Sequence, residues 1–182
     1  GRLANDAAMC INFECSSAEE YLSAPRSFDS ILACQCFDYF DHKVLAQRVW
    51  RALKSGGRFT AAYMSWLPFE DEIAGRSEAL VLKYNPKWTG CGERPRPIRI
   101  PDIYLKYFSV RSSEVFRLDV PFTRESWHGR MLACRGVSAS LGESEVQAFS
   151  DEHMRMLSSF PERFTIKHYA AIAVLEKLPV CG

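Results

Sequence analysis

No stretch of the chain approaches the roughly 20 consecutive apolar residues that a membrane-spanning helix needs, and the first residues lack the basic and apolar regions of a secretion signal. The expectation is a cytoplasmic chain with no membrane partner. Charge of one sign is missing too. Lys and Arg number 23 against 22 Asp and Glu, a formal net charge of +1, which leaves no electrostatic footprint for nucleic acid. The cysteines, Cys10, Cys15, Cys34, Cys36, Cys91, Cys134 and Cys181, contain no CxxC pair, so no zinc or other metal site is expected. Their odd number points to reduced thiols, mostly buried as small hydrophobes. No bridge between Cys34 and Cys36 is expected. No GxGxxG follows an apolar strand either. Gly90-Cys91-Gly92 comes after Trp88-Thr89 and is followed by "RPRP", so neither strand nor helix frames it, and a dehydrogenase-type nucleotide site is not expected.

What the sequence does contain is an alternation of apolar runs and helical patterns over 182 residues, enough for one domain with its own core. "LANDAAM" (3–9) reads as a helical tail and "INFEC" (11–15) as a short strand. "FDSILACQC" (28–36) is a buried strand, apolar and bounded by polar residues. Asp41 can cap a helix carrying Leu45, Val49, Ala52 and Leu53 at helical spacing, which Gly56-Gly57 would end. "RFTAAYMSW" (58–66) is a second buried strand, and strand, helix, strand within about forty residues is a parallel crossover unit. A helix is expected around Asp71 to Lys83, then an irregular excursion over 85–102 with its prolines. "VFRLDVPF" (115–122) reads as a strand. Thr123 can cap a helix with Trp127, Met131 and Cys134 on one face. Ser140 with Glu143 has capping-box spacing before Val146, Phe149, His153, Met156 and Leu157. "FTIKHYAAIAVLEK" (164–177) closes the chain as a long strand.

In open α/β sheets ligands bind beyond the carboxyl ends of the strands. Two such ends are informative. One is Ser16-Ser17-Ala18-Glu19-Glu20 after "INFEC", which offers a side-chain acceptor and backbone N–H to a heterocycle. The other is Cys34 to Asp41 after "FDSILA", which offers backbone carbonyls and aromatic faces to a flat or cationic group.

Taken together, "SSAEEYL" (16–22), "FDSILACQCFDYFD" (28–41) and "RVWRALKSGGRF" (48–59) resemble the class I S-adenosylmethionine-dependent methyltransferases of the small-molecule type. The last stretch is similar to that family's Arg-x-Leu-Lys-Pro-Gly-Gly element, with Ser55 in place of proline. The resemblance implies a Rossmann-like α/β fold with a mostly parallel sheet and an antiparallel C-terminal strand. It implies S-adenosyl-L-methionine as cofactor and a small-molecule substrate. It places the adenine contact on Ser17 with Ala18 and Glu19 beside it, and the border of the methionine part on Ala33, Cys34 and Gln35. The family's His-Trp falls on Asp38-Tyr39, so a histidine's role there does not carry over, while Tyr39 stays a cofactor-binding and catalytic candidate. The family's first two strands, its glycine-rich turn and its ribose-gripping acid should lie upstream of residue 1. Together with Gly1 in place of Met, this suggests a single methyltransferase domain truncated at its N-terminus and impaired in cofactor affinity.

A methyl sulfonium is already an activated electrophile, so the protein's share is alignment and exclusion of water, with a base only where the acceptor carries a proton. His128 is the candidate base. Tyr63, Trp66, Trp127 and Arg130 are candidates for the substrate side, in a helical lid over 123–158. Each has a plainer alternative: Tyr63 and Trp66 as strand-end packing, Trp127 with Met131 as a core face, His128 as a solvent-facing residue. His153 and His168 read as core histidines, and Arg94, Arg96 and Arg99 as a solvated loop. Methyl transfer to a small molecule is the leading function, and a non-catalytic, degenerate interaction module is the alternative. The sequence does not specify the acceptor atom or the oligomeric state.

Overall fold

A computed structural model describes residues 10–21 and 25–179. The expected helical tail at 3–9 and Cys181 lie outside the described residues. The chain packs as two compact units. The first holds the described residues up to 60 together with 100–111 and 174–179, the second residues 61–99 and 112–173.

The elements of the first unit begin with a single helical turn, α1 (Ala18–Tyr21), followed by strand β1 (Phe28–Cys34) and a 3-10 turn at Phe37–Tyr39. Asp41 then caps α2 (His42–Ala52), accepting the Lys43 N–H at 3.0 Å. The helix buries Leu45, Ala46, Val49 and Ala52, the positions its spacing assigned to one face. It ends at Ala52, with three residues between it and Gly56-Gly57. Leu53 is extended and fully buried, and it opens β2 (Leu53–Trp66). The two glycines therefore sit inside the strand. Gly56 has φ +70°, and a Cβ on Gly57 would lie 3.0 Å from the Lys54 carbonyl and 3.1 Å from that of Asp29 on β1. They permit a sharp backbone path against β1. Phe59, Phe37, Tyr104 and Phe108 form this unit's aromatic core, with Phe59 stacked on Tyr104 at 5.8 Å.

In the second unit Asp71 caps α3 (Glu72–Tyr84) by accepting the Ala74 N–H, and its other oxygen accepts the Lys167 N–H. Thr123 and Ser126 cap α4 (Arg124–Leu132) reciprocally. α5 (Glu143–Leu157) starts at Gly142 rather than Ser140: Glu145 reaches back to the Gly142 N–H, and the Ser140 hydroxyl donates to the Arg135 carbonyl instead. Trp127, Met131, Phe149 and Leu157 are fully buried in this unit's core.

The sheet order is β1-β2-β4-β3, with β3 running Phe108–Thr123 and β4 Arg163–Lys177. Ser27 donates to Ala52, and Asp29 pairs with Lys54 at the same offset, so β1 and β2 are parallel. Leu67 donates to Lys167 while the Lys177 ammonium reaches Leu53, so β4 opposes β2. Leu178 to Tyr107 and Arg124 to Glu162 show that it opposes β3 as well. Three strands thus share one direction and the C-terminal strand runs against them, as expected from the resemblance. β3 is longer than 115–122 because an edge strand facing outward on most positions has no apolar alternation to announce it. Its Pro121 is tolerated at that edge.

"INFEC" is not a strand. Residues 10–16 run without regular structure, and Phe13 is 70% exposed, because no neighbouring strand among the described residues takes up its hydrogen bonds.

Candidate functional site

The carboxyl end of β1 is built by a change of backbone direction. Ala33, 3% exposed, is the last anchored residue of the strand. Gln35 then adopts φ +61°, the left-handed region that an L residue seldom enters, and the chain bends there. Phe37, 5% exposed, anchors the turn that follows.

Along β1, from Phe28 to Ala33 near this end, lies a cavity of about 280 Å³. Its wall includes Ala18 and Tyr21 of α1, Ile31 and Ala33 of β1, Phe40, and Leu45 and Val49 of α2. Two of the candidate cofactor residues from separate stretches, Ala18 and Ala33, therefore meet at one cavity. A hydrogen bond joins the same segments: the Glu19 carboxylate accepts the Asp41 N–H at 3.3 Å. The Ser17 hydroxyl accepts the Glu20 N–H at 3.2 Å and caps α1. Cys34, Gln35 and Tyr39 are exposed at the strand end and do not line the cavity. The wall is apolar and its size suits a flat heterocycle, somewhat below the range of sites that enclose a whole nucleotide-sized ligand.

Near this rim sits a pair that sequence reading missed. Tyr104, fully buried, places its hydroxyl 3.1 Å from His42 Nδ1, and Phe37 packs on the same imidazole at 4.7 Å. Burial, reinforced by Glu19, raises the Tyr104 pKa and keeps the phenol protonated. The available signal was aromatic: Tyr104 and Phe108 lie four residues apart after Pro101-Asp102, just beyond the segment that reads as irregular.

The remaining candidates belong to the second unit. Trp127 has no exposed surface, and its indole N–H donates to the Ser77 hydroxyl at 3.0 Å, so it is core rather than substrate wall. Trp66 is 5% exposed and donates to Glu78 at 2.6 Å, which makes it core as well. The Arg130 guanidinium lies 4.8 Å from the Trp66 ring centre. Tyr63 donates to Glu93 at 3.1 Å, beside a second donor to that carboxylate, Tyr169 at 2.9 Å. Burial and then Glu93 raise the Tyr63 pKa. Burial, above all, holds Glu78 above the usual carboxylate range.

His128 is engaged at both ring nitrogens, with Nδ1 2.8 Å from His153 Nδ1 and Nε2 3.0 Å from the Ser150 hydroxyl. His153 in turn places Nε2 3.0 Å from Ser77 Oγ, whose own proton goes to the Ile73 carbonyl. Because Ser77 Oγ also accepts from Trp127, only one assignment with both rings neutral satisfies every atom. Ser150 donates to His128, His128 Nδ1–H donates to His153, and His153 Nε2–H donates to Ser77. Both rings are neutral in it. Burial lowers the His128 pKa; burial and then His128 bring His153 to about 4. His128 is thus a member of a closed internal chain, not a base turned toward a substrate. His153 and His168 are core histidines, the latter bonded to the Ile166 carbonyl.

Among the described residues no helix is long and apolar enough to cross a membrane, and no cluster of His, Cys, Asp or Glu could hold a metal ion.

The fold is an α/β arrangement around an open, mixed, four-stranded sheet. Residues 2–61, which span α1, β1, α2 and the start of β2, match the family model described as a methyltransferase domain. No curated protein matches the chain. Among solved structures, one from Bacillus halodurans C-125, provisionally named a methyltransferase, is 14% identical with a TM-score of 0.46, covering 97% of this chain and 87% of that one. A provisionally named type II methyltransferase from Anaeromyxobacter dehalogenans is 15% identical with a TM-score of 0.49, covering 88% and 68%. The YcgJ protein from Bacillus subtilis is 17% identical with a TM-score of 0.45, covering 98% and 76%.

Proposed function

We propose that the chain serves S-adenosyl-L-methionine-dependent methyl transfer to a small-molecule acceptor, with the adenosyl group lodged in the cavity at the end of β1. The observation that supports this reading is the meeting of Ala18 and Ala33 at one apolar cavity, inside the segment that matches the methyltransferase domain. When bound, the cofactor supplies a methyl group on a positively charged sulfur. The chain's own residues bind and exclude water. Ala18 and Ala33 are small enough to leave room for a ring, Ile31, Leu45 and Val49 give it apolar walls, and the Glu19–Asp41 bond holds α1 against the strand end. The bend at Gln35 carries the chain away from the strand axis and leaves the side chain of Tyr39 in solvent, at the edge from which an acceptor approaches. No residue of this cavity is a base, which suits acceptors that react without giving up a proton first.

Filling the cavity tests the proposal. Ala33→Trp and, at the less buried wall, Ala18→Trp should each weaken binding of S-adenosylhomocysteine in calorimetry by at least about tenfold, about 1.4 kcal/mol. Far-UV circular dichroism of both variants checks that they fold. Unchanged affinity in a folded variant, or no binding by the unaltered chain at millimolar ligand, would overturn the proposal.

A further inference from the structure

A cavity of about 340 Å³ lies within the second unit. Leu67, Phe69 and Glu70, directly after the carboxyl end of β2, form one part of its wall. Glu93, Arg94 and Pro95 of the irregular excursion and Arg117 of β3 complete it. Strand ends of this kind are where open α/β sheets place their ligands. The charges of the wall are mostly paired. Arg117 grips Glu70 through Nε and Nη2, each at 3.0 Å. Glu93 accepts the Tyr63 hydroxyl on one oxygen and the Tyr169 hydroxyl on the other, with Arg96 at 3.5 Å. Burial, with Glu93 beside it, keeps the Tyr169 phenol protonated and so a fixed donor. The oxygen that Tyr169 reaches can accept a second hydrogen bond.

Arg94 differs from the other two arginines. No carboxylate pairs with it among the described residues, and its guanidinium lies over the Phe69 ring, 4.2 Å from the centre. Stacking engages the face of a guanidinium and leaves its in-plane N–H donors free for a two-pronged grip on a carboxylate. The backbone sets this pair of residues in place. Gly92 holds φ +76°, which glycine allows, and its N–H donates at 2.8 Å to the buried Glu78. Since Arg117 offsets Glu70 and Arg96 offsets Glu93, Arg94 leaves the wall with one positive charge in surplus.

We propose that this cavity binds a small organic acid with one carboxylate, one hydroxyl and an apolar body. The carboxylate takes the in-plane donors of Arg94, the hydroxyl donates to Glu93, and the apolar body lies against Leu67, Phe69 and Pro95. A monoanion matches the surplus charge of the wall. A phosphate dianion overshoots it with Glu70 and Glu93 close by, and a zwitterionic amino acid leaves it uncancelled. The volume stands at the lower end of the range for small-molecule sites, which limits the apolar body to about one ring.

Calorimetry and amide-resolved NMR with 3-phenyllactate, in the absence of any adenosyl compound, decide the matter. 3-Phenyllactate should bind at millimolar concentration or below and shift the amides of Phe69, Glu93 and Arg94. 3-Phenylpropionate, which lacks the hydroxyl, should bind several-fold more weakly. 3-Phenyllactamide, which lacks the charge, should lose at least about tenfold, and Arg94→Gln should lose as much toward 3-phenyllactate. Arg94 is exposed, so Arg94→Gln should fold, which far-UV circular dichroism checks. Arg99→Gln, an exposed arginine of the same segment outside the cavity wall, should bind as the unaltered chain does. No binding of 3-phenyllactate at millimolar concentration, equal affinity of folded Arg94→Gln or for 3-phenyllactamide, or amide shifts away from this wall would each overturn the proposal. With no adenosyl compound present, none of these results bears on the methyl-transfer reading, which stands or falls by its own binding test.

Discussion

Replacing His153 should remove most of an acid sensitivity that its surroundings impose. His153 is fully buried, and its neighbours need it neutral: on α4, His128 donates to its Nδ1 and Trp127 shares its acceptor, and on α3, Ser77 accepts its Nε2–H. Its pKa falls from 6.5 to about 4. Above pH 6.5 both folded and unfolded chains carry the neutral ring, and the group contributes no pH dependence. Below 6.5 the unfolded chain takes up a proton that the folded chain refuses, so stability falls with falling pH until the folded pKa is reached. The loss is roughly 2 kcal/mol at pH 5 and approaches 3 kcal/mol near pH 4. His128, also lowered by burial, adds in the same sense. Glu78, raised by burial, acts in the opposite sense, since the folded chain protonates it first. The assay is therefore a difference: urea unfolding of the unaltered chain and of His153→Gln, followed by tryptophan emission at pH 7, 6 and 5. Gln keeps an N–H for Ser77 and does not titrate. The stability gap between the two proteins should narrow by roughly 2 kcal/mol from pH 7 to 5. A gap that stays constant would refute both the neutral assignment and the burial that causes it.

Three further perturbations probe the scaffold, each read as a shift in urea midpoint. Asp41→Ala removes one cap and should cost about 1 kcal/mol. Asp71→Ala should cost about twice that, because Asp71 caps α3 with one oxygen and accepts the Lys167 N–H with the other. Gly57→Ala should destabilise by roughly 1–3 kcal/mol, since its Cβ would meet two carbonyl oxygens near 3 Å, one of them on β1.

Much of this fold was legible because local rules and burial agree in it. Asp41, Asp71 and Thr123 cap the helices their positions suggest, and Leu45, Val49, Trp127, Phe149 and Leu157 are buried where helical spacing puts them. The failures have physical causes. "INFEC" has a strand's composition, but strand formation needs a partner that composition does not encode. Gly56-Gly57 resembles a helix end, yet the burial of Leu53 draws the strand past it. At the candidate site, the pairing of Ala18 with Ala33 followed from family likeness and strand-end logic. The Tyr104–His42 contact joins positions 62 residues apart and left no local trace. His128 looked like a free base because its second nitrogen's partner, His153, comes from another helix. The bend at Gln35 was invisible because no glycine or asparagine marks it.

The most direct test of the central claim is an amide-resolved NMR titration of the chain with S-adenosylhomocysteine. The account predicts that the amides of Ala18, Ile31 and Ala33 shift together along one binding curve, while those of Trp127 and His153 stay in place. Shifts centred on Trp127 and His153, with Ala18 and Ala33 unmoved, would contradict it.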